Sequence, residues 1–275
     1  MLAAFIIVFR EVMEAGLIVG IVLAATEGIR HRAPYLWGGV LAGVGGACIV
    51  AACIGALSAA FQGNGQDVFN AGILCFAVVM LGLHSVWMAR HGREMARQMR
   101  EMGSAVAAGD STLLAMAIVV AVAILREGSE VVLFLYGVAA SAHLGAVAII
   151  SGSALGIAAG AAISWLLYRG LLTIPVSRLF SVTSGLIALL AAGMAGQAAA
   201  LLANDGIIPA FGYQLWDTSW LLSTGSLVGK ALQALVGYSD RPMGVQLVAY
   251  LATLATLVLL SKYAGKTRVL QKQEI

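Results

Sequence analysis

The chain has 275 residues, 61% of them hydrophobic and only 11% charged, with a formal net charge of +3. Soluble domains carry about 25% charged residues, so this composition excludes an ordinary water-soluble enzyme or nucleic-acid-binding module and predicts an integral membrane protein. The net charge decides little; the placement of the few charges decides much.

A helix that crosses a bilayer takes about 20 predominantly apolar residues. Seven spans are predicted on that basis, over residues 2–27, 36–60, 69–89, 112–140, 145–168, 179–203 and 244–262. The first is expected to act as its own targeting signal, because no basic stretch precedes it and no small-residue cleavage pattern follows it. Inside it stands Arg10-Glu11-Val12-Met13-Glu14, followed by only 12 uncharged residues, Ala15–Thr26. The second span carries Gly39-x-x-x-Gly43 with Cys48 and Cys53; the third carries Cys75 and His84. The three cysteines form no CxxC pair, so they predict neither a zinc site nor a disulfide framework and read as small apolar residues. Over 89–102, arginines interleaved with Met95, Met99 and Met102 predict an amphipathic helix lying on the membrane surface.

The fourth span repeats the charged pattern as Arg126-Glu127-Gly128-Ser129-Glu130, between uncharged stretches of 13 residues (Leu113–Leu125) and 10 residues (Val131–Ala140). None of these uncharged pieces can cross a bilayer alone, so both clusters are expected inside the membrane. The fifth span carries Gly152-x-x-x-Gly156-x-x-x-Gly160, a spacing that lets helices approach closely, and the sixth carries Gln197. Twelve of the 16 Lys and Arg residues follow spans 1, 3, 5 and 7, while the segments 61–68 and 141–144 contain none. The positive-inside rule then predicts a multi-pass inner (plasma) membrane protein with its N-terminus outside and its C-terminus in the cytoplasm.

The chain also repeats itself. Gly39, Gly43, Gly72 and His84 match Gly152, Gly156, Gly185 and Gln197 at an offset of 113, and the charged clusters match at an offset of 116. Three spans per copy force the second copy to run upside down, the inverted-repeat arrangement of many transporters, with a binding site near the midplane. The expected fold is all-α and forms one transmembrane domain. Repeat 1 covers about 1–108, repeat 2 about 109–204, and an outer loop with the seventh helix about 205–275.

A charged side chain near the centre of a membrane helix costs roughly 2.5–3.5 kcal/mol on insertion scales, so six in two matched sets imply a function. Helical spacing puts Glu11 and Glu14 on one face, with Arg10 one turn before Glu14. Glu127, Glu130 and Arg126 reproduce the arrangement. Four carboxylates against two guanidiniums leave the ionised set at −2, a charge that a multivalent cation balances. Carboxylates are hard ligands suited to ferric iron, magnesium, calcium or manganese alike, and the arginines are expected to hold them in position. Several readings stay open from the residues alone: a proton-coupled or less selective divalent-cation transporter, an intramembrane proton relay, and a non-transporting membrane subunit clasped by Arg–Glu pairs.

The paired Arg-Glu-x-x-Glu motif in spans 1 and 4 resembles that of the oxidase-dependent iron permease family, which includes fungal high-affinity iron permeases and bacterial EfeU-type iron transporters. The segments Tyr213–Ser223 and Gly237–Pro242 are similar to that family's region before its last span. The resemblance implies iron uptake, ferric or ferrous, with Glu11, Glu14, Glu127 and Glu130 as iron ligands supported by Arg10 and Arg126. Iron is then transported substrate and not a resident cofactor. The implied partners are membrane lipid and a separate oxidase or periplasmic or extracellular iron-binding protein that hands iron over.

Three further residues are candidates for the path. His84 and Gln197 occupy equivalent repeat positions, and Asp217 lies in the outer loop between Trp216 and Trp220, where tryptophans commonly serve as interfacial anchors. His31, His91 and His143 lie at span edges and are expected to be solvated. The segment Gly225–Ala231 superficially resembles a P-loop, but it has three residues between its glycines instead of four, and Ala231 follows Lys230 where Ser or Thr is needed. There is likewise no HExxH motif. Neither enzymatic activity nor a nucleotide or nucleic-acid partner is expected.

Overall fold

Ala, Leu, Val and Ile dominate this chain, and Pro34, Pro209 and Pro242 avoid helix interiors, as a residue that lacks an N–H and clashes with the preceding turn must. The result, in a computed structural model that describes residues 1–60, 66–142, 145–170 and 176–271, is a succession of helices: α1 (Leu2–Ala25), α2 (Arg32–Ala60), α3 (Gln66–Ala108), α4 (Leu113–Ala142), α5 (Ala146–Tyr168), α6 (Val176–Asn204), α7 (Leu227–Val236) and α8 (Gly244–Gln271). No strand occurs among the described residues. The protein is all-α.

Among the described residues, four segments are long and apolar enough to cross a bilayer: α2, Asp67–His84 of α3, α5, and Val182–Asn204 of α6, with a shorter apolar stretch over Gly244–Leu260 of α8. Helices α1 and α4, of 24 and 30 residues, have the length to cross, and their only charged residues are the two clusters. Leu41, Ile49, Ile118, Val122, Val147 and Ile150 project from α2, α4 and α5 with more than half of their surface exposed. An apolar exterior of this extent marks a membrane protein. Cys48, Cys53 and Cys75 are free and lie on such outer faces.

Two boundaries differ from the sequence expectation. First, 89–102 is not a separate surface helix: α3 runs through it to Ala108, a 43-residue helix. Met99 and Val106 are buried, with Met102 beside them, against Ile18 and Val22 of α1 and Met116 and Val120 of α4. The 3- and 4-residue spacing of Met99, Met102 and Val106 forms a stripe along one helix face, and that stripe is used for packing. Second, α7 was not expected. Ser226 caps it, accepting a hydrogen bond at Oγ from the Gly229 N–H (3.0 Å). Gly237 ends it in the left-handed region at φ 70°. Local capping and turn geometry thus account for the Gly- and Ser-rich segment that resembles a P-loop.

Helix α1 packs chiefly on α5, and α2 chiefly on α4. The glycines decide how closely. A Cβ at Gly39 would stand 2.5 Å from the Ala117 carbonyl oxygen, and one at Gly43 2.7 Å from that of Ala121. On the other pair, a Cβ at Gly152 would strike the Met1 carbonyl, and one at Gly156 would stand 2.8 Å from the Phe5 carbonyl oxygen. Lipid supplies no hydrophobic drive between helices, so such close backbone approach is the main source of cohesion.

Along the bundle the side chains sort into layers. Ala3 and Ile7 of α1, Leu74, Ala77 and Leu81 of α3, Phe134 and Val138 of α4, and Leu190 and Met194 of α6 form an apolar layer toward the Met1 end. Ile18 and Val22 of α1, Met99 of α3, and Met116, Val120 and Ile124 of α4 form a second toward the Ala25 end, closed by Leu36. Between them, on α1 and α4, lie the two charged clusters.

The segment between α6 and α8 folds back on itself. Leu215 N–H donates to Pro242 O (3.0 Å), Thr218 N–H to Asp240 O (2.9 Å), and Gly244 N–H to Gly212 O (2.9 Å). At the end of α7, Gly237 meets Gly193 of α6 so closely that a Cβ added at Gly193 would lie 2.6 Å from its Cα.

Candidate metal centre

One helical turn separates Arg10 from Glu14, and the side chains use it: Arg10 Nε lies 2.9 Å from Glu14 Oε1 while its Nη1 lies 3.1 Å from Glu11 Oε1. The same spacing on α4 brings Arg126 Nε to 3.3 Å from Glu130 Oε1. Because α1 and α4 are in contact, the two clusters share a site. Glu11, Glu127 and Glu130 converge with His84 of α3 so that one ligand atom from each lies within 4.8 Å of the others. All four residues are buried.

His84 stands between the clusters. Its Nδ1 is 2.7 Å from Glu130 Oε2 and its Nε2 is 3.3 Å from Glu14 Oε2. Glu14 is therefore held at the edge of the group by Arg10 and His84. Glu11 Oε2 and Glu127 Oε2 are buried and receive no hydrogen-bond donor. A buried oxygen without a donor is rare in proteins and costs roughly 1–3 kcal/mol or more when charged. These two oxygens belong to different helices and to the same convergent group, an arrangement that a cation between them satisfies.

The two arginines differ. Arg10 is enclosed, whereas the Arg126 side chain retains 36% of its exposure. Arg126 also places its guanidinium carbon 4.4 Å from the centre of the Trp87 ring, a cation–π stack, and its Nη2 3.5 Å from His84 Nδ1. Trp87 was not singled out in the sequence. The signal available was its position three residues after His84, which puts it on the same side of α3.

Asp217 is not among the convergent residues, and none of them lines the cavity that Gln197 faces. Gln197 faces a cavity of about 10 Å³, lined also by Gln233 of α7 and Gln246 of α8, room for about one water molecule. Asp217 belongs to a clasp within the folded-back segment: Oδ1 accepts from the Ser219 N–H (2.9 Å) and hydroxyl (2.6 Å), and Oδ2 from Arg241 Nε (3.0 Å). Those Ser219 hydrogen bonds, with Arg241 beside them, hold the Asp217 carboxyl below its ordinary range. His31 is exposed; the His91 side chain and His143 lie outside the described residues.

Comparison with known proteins bears on the whole chain. The profile of the iron permease FTR1 family matches residues 1–271. The ferrous iron permease EfeU of Escherichia coli O6:H1 is 30% identical over 245 residues, 88% of each chain. That of Yersinia pestis is 28% identical over 265 residues, 94% of this chain and 93% of the other. A protein of Escherichia coli K12 named a putative inactive ferrous iron permease EfeU is 29% identical over 245 residues, 88% of each chain. No solved structure matches. With a match that runs from the first residue through nearly the last, the chain belongs to the FTR1 iron permease family.

Proposed function

We propose that this protein is an inner-membrane iron permease, a transporter and not an enzyme, that carries ferrous iron into the cytoplasm through the carboxylate site between α1 and α4. The observation that carries this reading is the meeting of Glu11 and Glu127, each with a buried oxygen lacking a donor, midway along two helices that are otherwise apolar. A site with four carboxylates and two guanidiniums remains at −2 when all are ionised, and a divalent cation neutralises it. The names of the relatives favour the ferrous ion. Glu11, Glu14, Glu127 and Glu130 supply oxygens, and Arg10 and Arg126 hold Glu14 and Glu130 in place.

The proposed architecture is seven spans, α1 to α6 as a 3+3 inverted repeat followed by α8. Matched contacts support it. Gly39 on Ala117 corresponds to Gly152 on Met1, and Gly43 on Ala121 to Gly156 on Phe5. In each case the glycine shifts by 113 and its partner by 116, the offsets of the sequence repeat. The N-terminus lies outside in this reading, which puts the Met1-end layer between the site and the exterior and the Ala25-end layer between the site and the cytoplasm. Iron is handed over on the outer side by a separate iron-binding protein or oxidase. It binds between the clusters and leaves inward as the halves move against each other, drawn by a membrane potential worth about 2.3 kcal/mol per charge per 100 mV.

The test is uptake of radioactive Fe²⁺ into proteoliposomes under an inside-negative potential. Glu11→Gln and Glu127→Gln are expected to lower uptake at least about tenfold, the change that follows from losing about 1.4 kcal/mol of binding, with Glu14→Gln and Glu130→Gln also impaired. Wild-type uptake in all four variants overturns the reading, and equal uptake of Mg²⁺ or Mn²⁺ turns it into a general divalent-cation transporter.

A further inference from the structure

We propose that His84 is itself an iron ligand, and that its imidazole makes the site prefer ferrous iron to magnesium and calcium. The inference rests on the iron-permease reading and adds to it the source of selectivity.

Oxygen ligands alone do not separate these ions. Carboxylates serve magnesium, calcium and manganese as readily as iron, whereas imidazole favours iron and the later transition metals. His84 is the nitrogen donor in the convergent group, 3% exposed, and reaches it from a third helix. Both ring nitrogens face carboxylate oxygens, Nδ1 at 2.7 Å from Glu130 and Nε2 at 3.3 Å from Glu14, and Arg126 Nη2 stands 3.5 Å from Nδ1. A neutral imidazole carries one N–H and one lone pair. In that form one ring nitrogen offers its lone pair to an ion among these carboxylates while the other donates its N–H to a glutamate, as the second ring nitrogen of metal-bound histidines commonly does. Among the described residues, the second half of the chain supplies no equivalent donor to this site. Gln197, the residue that matches His84 in the repeat, instead faces Gln233 and Gln246 in a separate small cavity.

The experiment compares wild-type protein and His84→Gln, a variant that keeps a donor and an acceptor but replaces nitrogen ligation by an amide. Anaerobic titration measures Fe²⁺ binding with Mg²⁺ and Ca²⁺ as competitors. Pulsed electron paramagnetic resonance on Mn²⁺-loaded protein reads ligand nitrogen directly. Wild type is expected to show histidine nitrogen coupling; His84→Gln is expected to lose it, to bind Fe²⁺ about 10–100-fold more weakly, and to bind Mg²⁺ unchanged. If Mn²⁺-loaded wild type shows no nitrogen coupling, or if the Fe²⁺ to Mg²⁺ preference is unaltered in His84→Gln, the assignment of His84 is overturned while the iron-permease reading stands. If wild type neither binds nor transports Fe²⁺, the reading beneath it fails. His84→Asn and the melting temperature of each variant distinguish loss of a ligand from loss of the fold.

Discussion

Arg10 and Arg126 hold the same place in the two Arg-Glu-x-x-Glu clusters, yet the Arg10 side chain is 2% exposed and that of Arg126 is 36% exposed. Arg10 binds two glutamates of its own helix; Arg126 binds one and rests on Trp87. The matched motif therefore contains one fixed and one more accessible cation.

This asymmetry predicts unequal stability costs. Removing one partner from a buried ion pair costs about 3–5 kcal/mol, so Arg10→Met is expected to lower the unfolding free energy by about that amount. Arg126→Met forfeits a partly exposed pair and a cation–π contact, together about 1–2 kcal/mol. Unfolding in mild detergent checks the order; equal losses would contradict it.

The glycine seams predict which small residues are required. Gly43→Leu and Gly156→Leu drive a side chain into the carbonyls of Ala121 and Phe5 and are expected to disrupt the helix pairs to a similar degree, overpacking costing about 1–3 kcal/mol or more. A Cβ at Gly72 or Gly185 meets nothing within 4 Å, so Gly72→Ala and Gly185→Ala are expected to be neutral or to stabilise by about 0.5–1 kcal/mol. Melting temperatures of the four variants decide the matter.

Contact between Gly193 and Gly237 predicts a lever on α7. Gly193→Val is expected to lift the end of α7 away from α6 and open the cavity among Gln197, Gln233 and Gln246. With the three native cysteines replaced, a Gln233→Cys reporter is expected to react faster with a membrane-impermeant thiol reagent once Gly193→Val is added. An unchanged rate would mean that α7 is held elsewhere.

The Asp217 clasp predicts a pH dependence with a defined sign. A carboxyl whose folded pKa lies below its unfolded value stabilises the fold above the unfolded value, 3.8 for Asp, and loses that contribution as pH falls through the folded value. The clasp is thus expected to persist at neutral pH and to open only as the pH falls below 3.8. Tryptophan fluorescence from Trp216 and Trp220 follows the opening, and Asp217→Asn is expected to remove the transition.

Much of the arrangement was legible in the sequence because membrane helices write their length into composition and intramembrane charges stand out against it. Glu11, Glu127 and Glu130 could be picked by residue type and span alone. The continuation of α3 past Ala89 could not, since the change from apolar to arginine-rich sequence looks like a membrane boundary while the packing stripe Met99, Met102 and Val106 is sparse. Helix α7 was hidden by its 10-residue length and its Gly- and Ser-rich start. His84 was visible as an intramembrane polar residue, but its position between Glu14 and Glu130 depends on the rotation of α3 against α1 and α4, which no local pattern encodes. The repeat register sets His84 against Gln197, but α7 and α8, which follow the proposed repeat, give Gln197 different neighbours.

The two apolar layers on either side of the charged clusters have an electrical consequence. On the proposed transport route they turn the bundle into a voltage divider with its tap at the glutamates, midway along α1 and α4. A divalent ion reaching that tap collects about half of the membrane potential's work, about 2.3 kcal/mol per 100 mV, and the remainder is released on the way out. Loading and unloading are then separately sensitive to voltage. A transient current on loading alone, with no net transport, would carry about one elementary charge per protein.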